Sequence, residues 1–255
     1  MSFEPVNRLE GQVAVITGGK GAIGLATAYR LARLGVRIVS LDRSSPQDVQ
    51  TLLDRLPSVS SGAHFALTAS ITDSASLQAA ADAVKTRAKR CDILINSAGF
   101  TKAVPASDLE ALTDSLFDEI LQSNLRGVFA TIRAFAPLLK ASGDGLIVNV
   151  SSIAGFTGTG SNLAYVAAKA GVDVLTKSLA KVLAPQVRVL AVSPGVVDSS
   201  FVPGRGADFN DKAAATIPLK RIGTVEDIAS AIEACATTMR FATGSRFVVD
   251  GGRSL

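Results

Sequence analysis

Val13-Ala14-Val15-Ile16-Thr17 is a short, mostly β-branched apolar run that passes without a break into Gly18-Gly19-Lys20-Gly21-Ala22-Ile23-Gly24. This stretch restricts the possible folds more than any other. An apolar run of that length reads as a buried strand, and the residues from Ile23 onward read as a helix, so the glycines mark a strand-to-helix turn. A helix after a strand serves as the crossover that parallel strands require, which sets up a sheet with helices on its faces.

The rest of the chain repeats that alternation. Strands are expected at 13–17, 37–42, 64–67, 92–96, 146–150, 188–192 and 246–249, with helices near 23–34, 47–56, 74–89, 109–140, 163–183 and 224–238. The pattern predicts an α/β fold, a Rossmann-type doubly wound parallel sheet of about seven strands with helices on both faces. Thr224 is expected to cap the last helix, with Glu226 and Asp227 in its first turn, where negative charge suits the helix dipole. No repeat, low-complexity tract or linker divides the chain, so residues 1–255 read as a single domain. The irregular stretch 198–220 is rich in Gly, Pro and polar residues, and a loop of that length in a compact domain is usually functional or disordered.

Composition narrows the function classes. With 255 residues, 47% of them hydrophobic, the chain can bury a sizeable core, and without Trp that core must be largely aliphatic. No apolar run approaches the ~18 residues of a membrane span. Residues 1–11 lack the basic and apolar regions of a signal peptide, so a soluble cytoplasmic protein is expected. The net charge of +4 comes from scattered Lys and Arg, with no basic cluster of the kind nucleic-acid binding uses. Cys91 and Cys235 share no metal-ligand spacing, and Cys91 reads as a core residue. His64, the only histidine, has no ligand partner near it in sequence, and no metal is expected.

The glycine turn is suited to a dinucleotide. Its glycines let the backbone approach a pyrophosphate, and the helix that follows supplies N–H donors and the positive end of a dipole. Asp42 closes the second expected strand, eighteen residues after Gly24. A carboxylate there accepts hydrogen bonds from the adenosine ribose and repels a 2′-phosphate, which favours NAD. Arg43 and Lys20 are the counter-indication, because either cation could pair with the 2′-phosphate of NADP.

Tyr165 and Lys169 stand four residues apart in Tyr165-Val166-Ala167-Ala168-Lys169, with Ser152 thirteen residues upstream. On a helix the phenol and the ammonium share one face. A free tyrosine, with a pKa near ~10, is a poor base at neutral pH, but a neighbouring cation favours the phenolate. Tyr165 could then exchange a proton with a substrate hydroxyl or carbonyl. Ser151, beside Ser152, is the alternative serine.

Together these residues resemble the single-domain short-chain dehydrogenases/reductases, over 13–252. Thr17, Gly18 and Gly24 lie in register with that family's glycine motif, and Asn96-Ser97-Ala98-Gly99 is similar to its Asn-Asn-Ala-Gly. Asn124, Ser152, Tyr165 and Lys169 fall on its catalytic tetrad. Pro194-Gly195, Arg221-Ile222-Gly223 and Val249-Asp250-Gly251-Gly252 also look like family signatures. The resemblance implies a cofactor-binding N-terminal half and a C-terminal half carrying catalysis and a substrate loop. It implies cofactor contacts from Gly18, Lys20, Gly21, Ile23, Gly24, Asp42, Arg43, Ser70, Ile71, Asn96, Ala98 and Gly99. Further contacts are implied from Tyr165, Lys169, Pro194, Gly195, Val197 and Ser199. Ala22 replaces the middle glycine of the turn, Ser70 an Asp that holds the adenine amine, Ser97 an Asn, and Leu190 an Asn of the sixth strand. These departures touch cofactor grip and sheet support and leave the tetrad intact.

The implied reaction is hydride transfer between NAD(P) and a secondary alcohol or ketone. Tyr165 would be the general acid/base, Lys169 would lower its pKa and hold the nicotinamide ribose, Ser152 would hold the substrate oxygen, and Asn124 would position a water. NAD-dependent oxidation of a polyol, sugar or hydroxy compound is the leading expectation, with NADP as the alternative cofactor. A 3-oxoacyl thioester reductase using NADPH is one rival, and a catalytically silent nucleotide-binding sensor or scaffold is another. Phe201, Val202 and Phe209 could line an apolar substrate pocket, and Arg205 could meet an anionic or polyhydroxylated group. Family members commonly pair the two long helices near 109–140 and 163–183 across a two-fold axis, so a homotetramer is expected.

Overall fold

Seven short strands form one wholly parallel sheet in the computed structural model, which describes residues 9–203 and 208–255. They are β1 (Val13–Thr17), β2 (Arg37–Asp42), β3 (Phe65–Thr68), β4 (Ile93–Asn96), β5 (Gly145–Val150), β6 (Val187–Pro194) and β7 (Arg246–Val249). Their order is β3-β2-β1-β4-β5-β6-β7. The order reverses between β1 and β4, where Thr17 stands opposite Asn96. At such a reversal neighbouring loops diverge above the strand ends and leave a crevice.

Alternation along the strands divides the core in two. Ala14 and Ile16 of β1, with Ile93 and Ile95 of β4, pack on one face against Ala28 and Leu31 of α1 (Ala22–Arg33) and Ile228 and Ile232 of α9 (Val225–Thr237). Val13, Val15 and Leu94 pack on the other face. Their partners there are Val84 of α3 (Ser74–Arg87), Phe135 of α5 (Gly127–Ala141) and Val172 of α7 (Leu163–Leu183). Both faces are covered, so the central strands are largely apolar, and each fully buried Leu or Ile contributes about 1.5–3 kcal/mol.

The expected strands all form, with ends shifted by one or two residues. The helix expected over 109–140 starts later, at Asp114, and runs on to Ala141 with a widened turn inside it. α4 (Asp114–Leu121) leads into a π-helical turn, Gln122–Arg126, and only then into α5. Gly127 N–H donates to Gln122 O, one residue further back than in an α-helix. Asn124 sits in this widened turn and its side-chain amide donates to Ile120 O at 3.0 Å, giving the loosened ladder a partner. The 198–220 stretch is not wholly irregular, since it contains α8 (Phe209–Thr216). Short α2 (Pro46–Leu53) and α6 (Ala154–Thr157) complete the set.

Thr224 forms a capping box with Asp227: its hydroxyl accepts from the Asp227 N–H and the carboxylate accepts from the Thr224 N–H. His64 bridges the β2 edge. Its Nδ1 accepts from the Ile38 N–H and its Nε2 donates to Pro57 O, both at 2.9 Å, and burial lowers its pKa. Cys91 is fully buried, and burial pushes its thiol well above the usual range.

Candidate active site

Four strand ends build one cavity of about 1100 Å³. Gly21, Ala22 and Ile23 enter from the turn after β1, and Ser97, Ala98 and Gly99 from the turn after β4. Ser151 to Ala154 follow β5, and Pro194, Gly195, Val196 and Val197 close β6 and the turn beyond it. Tyr165 and Lys169 reach it from α7.

The glycine turn is held by its neighbours. Gly18 has φ +67°, a left-handed conformation, and a Cβ there would stand 2.9 Å from Ala98 Cα. Thr17 Oγ1 accepts from the N–H groups of Ser97 and Ala98, each at 3.2 Å, which ties the two turns together at the sheet reversal. A Cβ on Gly24 would lie 2.3 Å from Gly18 O, so the first turn of α1 fits against the strand only without a side chain there. Gly21 is the N-cap and offers no side-chain acceptor, and no acidic residue sits in the first turn of α1. The helix therefore presents its N-terminal donors and dipole to an anion. This is the feature that fits a dinucleotide diphosphate.

Asp42, at the end of β2, accepts from Ser40 Oγ at 2.5 Å and from the Lys20 N–H at 3.3 Å. Burial raises its pKa against those hydrogen bonds. Its carboxylate thus lies beside the turn, as ribose recognition requires. Arg43 is exposed next to it.

Asn162 caps α7. Its Oδ1 accepts from the Tyr165 N–H at 2.8 Å, while its Nδ2 donates to Lys102 O at 2.7 Å and Thr101 Oγ1 at 3.1 Å. That single side chain fixes the start of the helix and joins it to the segment after β4. Lys169, 5% exposed, donates from Nζ to Val150 O at 2.7 Å, and its Nζ lies 5.5 Å from the Tyr165 ring centroid. Burial lowers its pKa to about 8, against the opposing pull of Asp173. Asp173 in turn accepts from Arg246 at 2.7 Å.

Ser152 Oγ accepts from the Ala154 N–H at 3.1 Å, which orients it at the cavity wall. Ser151 is buried and donates to Lys169 O at 3.3 Å, a structural partner for α7. Asn124 is fully buried behind Gly99, where a Cβ would come within 2.4 Å of its Oδ1. Its Nδ2 donates to Phe100 O and Ile120 O, and its Oδ1 has no hydrogen-bond partner among the described residues.

Of the residues expected from the sequence, Gly21, Ile23, Ala98, Gly99, Ser152, Tyr165, Lys169, Pro194, Gly195, Val197 and Ser199 come together around the cavity. Gly18, Lys20, Gly24 and Asp42 form and brace the adjoining turn. Arg43, Ser70, Ile71, Asn96 and Asn124 lie outside the cavity lining. Ser70 Oγ is engaged with Thr72 Oγ1 at 2.9 Å. Asn96 turns under the sheet, donating to Asn149 Oδ1 at 2.8 Å, and Asn149 donates to Thr176. Phe201, Val202 and Phe209 line the cavity, with the Phe201 and Tyr165 ring centroids 6.1 Å apart. Arg205 lies outside the described residues.

Sequence reasoning missed Asn162, although an Asn three residues ahead of Tyr165 is a cap signal. It also missed Asp173 and Arg253, whose partners are remote in sequence, and the role of Thr17 in tying the turns after β1 and β4 together. The Arg221-Ile222-Gly223 signature gains a reason. Gly223 N–H donates to Val196 O at 2.8 Å and Gly223 O accepts from the Asp198 N–H at 2.9 Å, shaping the cavity wall after β6.

A family model described as enoyl-(acyl carrier protein) reductase matches residues 18–254. A ketoacyl reductase assigned to the granaticin polyketide synthase of Streptomyces violaceoruber is 35% identical over 96% of this chain and 97% of its own length. The D-threitol dehydrogenase of Mycolicibacterium smegmatis is also 35% identical, over 97% of this chain and 95% of that protein. Among solved structures, levodione reductase superposes with a TM-score of 0.89 at 28% identity, covering 97% of this chain and 99% of that one.

Proposed function

Because the chain belongs to the short-chain dehydrogenase/reductase family and is an NAD(P)-dependent oxidoreductase, we propose that it interconverts a secondary alcohol and a ketone, uses NAD, and oxidises a polyol, sugar or hydroxy compound. The observation that carries this reading is the meeting of Ser152, Tyr165 and Lys169 with the α1 N-terminus on one cavity. The position of Asp42 beside the glycine turn favours NAD.

The bound nicotinamide supplies the hydride chemistry, and the chain's own residues handle the proton and the geometry. Gly21, Ala22 and Ile23 would meet the diphosphate, with Asp42 at the ribose. Ser152 holds the substrate oxygen. Tyr165 takes the hydroxyl proton in oxidation and returns it in reduction. The Lys169 cation favours the phenolate. A lysine with its pKa lowered to about 8 responds to small changes in its surroundings near working pH. Asn124 Oδ1, buried behind Gly99, is the acceptor that would hold a water for proton exit.

The test is a nicotinamide absorbance assay with NAD and NADP run separately against polyols, sugars, hydroxy acids and hydroxyacyl thioesters. Turnover with NAD, abolished in Tyr165→Phe, supports the reading. Reduction of 3-oxoacyl thioesters with NADPH alone supports the second reading, a 3-oxoacyl reductase, which the exposed Lys20 and Arg43 beside Asp42 favour. Cofactor binding without turnover on any substrate sinks both.

The assembly proposed is a homotetramer that buries the outer faces of α5 and α7. Phe129, Val174 and Val182 are exposed there, beside a groove lined by Ile132, Pro137, Leu179 and Leu183. Light scattering that gives a monomer at micromolar concentration refutes it. Among the described residues no helix is long and apolar enough to cross a membrane, and a cytoplasmic location is part of the same proposal.

A further inference from the structure

The cavity is polarised. Among its described lining residues Lys169 and Arg253 carry charge, and no Asp or Glu is present. Lys169 is committed to Val150 O and the Tyr165 ring. Arg253 is committed only in part. Its Nη1 donates to Thr216 Oγ1 at 2.9 Å, and Thr216 itself donates to Ala213 O at 2.8 Å. Among the described residues its Nε and Nη2 make no hydrogen bond and no carboxylate pairs with it. Asp250, three residues before it in sequence, turns back on the chain and accepts from the N–H groups of Gly252 and Ser254, each at 2.8 Å.

Arg253 also sits on the substrate flank. Gly251 and Gly252 pack against Ile217 and Pro218, just after α8, and the guanidinium hangs on Thr216 at the end of that helix. The diphosphate end at α1 is made by other residues. A guanidinium already oriented by a threonine, with two donor sites left and no internal counter-charge, is arranged for an oxyanion.

We infer that Arg253 is a specificity-determining residue that receives an anionic group of the substrate, held away from the carbon that reacts at Tyr165. This rests on the reading of the cavity as the substrate site. The body of the ligand between the two ends is apolar, to match Val104, Phe201, Val202 and Phe209. The anion is the carboxylate of a hydroxy acid or the phosphate of a phosphopantetheine thioester, which share the chemistry Arg253 reads.

The test is equilibrium titration of the full chain, with and without NAD, using two matched pairs of probes: benzoate against benzamide, and pantetheine 4′-phosphate against pantetheine. The charged member of a pair is expected to bind roughly 10- to 100-fold tighter, the range for charge-assisted hydrogen bonds. That preference should vanish in Arg253→Gln, shrink in Thr216→Val and persist in reduced form in Arg253→Lys. Preference for benzoate alone identifies the carboxylate source, and preference for the phosphate alone the thioester source. No preference in either pair, or a preference that survives Arg253→Gln, overturns the inference. If Arg253→Gln fails to fold, the Thr216→Val and Arg253→Lys pair decides: an undiminished preference in Thr216→Val overturns it. Because binding is read without turnover, failure here is separable from failure of the proposed reaction.

Discussion

The two flanks of the cavity are built by different means. The flank proposed for the cofactor diphosphate is made largely of backbone from one contiguous stretch, Thr17 to Gly24, packed so tightly that a Cβ on Gly19 would stand 2.2 Å from Ser40 Oγ. The substrate flank is made of side chains drawn from remote segments, after β4, β5 and β6, from α8 and from the turn after β7. It leaves the large apolar Phe201 partly in solvent. A backbone-made site can be altered only by moving the fold, whereas a site made of side chains can change its ligand while the fold stays put. On the proposed function, the glycine-turn flank suits a constant ligand and the side-chain flank a variable one.

Tyr165 lies where the flanks meet, and the largest effect is expected there. Tyr165→Phe should lower kcat by about 10²- to 10⁴-fold, the usual range for a general acid/base, with NAD affinity retained in a fluorescence titration. Lys169 gives a pH signature. Its folded pKa, lowered to about 8 by burial, lies below that of the unfolded chain, so between about pH 8 and 10.5 the unfolded chain binds more protons and stability rises with pH. Urea unfolding should show wild type gaining up to about 3 kcal/mol relative to Lys169→Met across that window.

Gly24→Ala should cost about 1–3 kcal/mol by overpacking and weaken NAD binding, because the added methyl must displace Gly18 O. An unchanged melting curve would break the comparison. His64, on the rigid side, has a folded pKa lowered by burial, so its contribution is present above ~6.5 and lost as pH falls through that lowered value. The advantage of wild type over His64→Gln should be about 1 kcal/mol at pH 7 and smaller at pH 5. Phe201→Ala, on the tolerant flank, should shift the melting free energy by less than about 0.5 kcal/mol while raising KM and leaving the NAD Kd alone. A change in NAD Kd there would show that the flanks are coupled.

Much of this was legible in the sequence because it depends on neighbours in the chain. A strand, a glycine turn and a helix start are adjacent residues, and the shared face of Tyr165 and Lys169 follows from helical spacing alone. The Thr224 cap is likewise a local pattern. The reach of the helix near 109–140 was not legible. Its π turn holds Asn124, which donates both to Ile120 O in the same helix and to Phe100 O in another segment, and the second partner has no trace in the local sequence.

The sequence by itself determined the parallel α/β order, the glycine turn and the reactive pair, all short-range properties of spacing and propensity. Only the tertiary structure decided that Ser151 is tied to Lys169 O while Ser152 is held by the Ala154 N–H, that Asn162 anchors α7, that Lys169 is buried and that Arg253 stands in a cavity without a carboxylate among its described lining residues. Each of these depends on burial or on a partner on another element of the fold. Solvent exclusion and electrostatics act through space, so the chain acquires them only once it is folded.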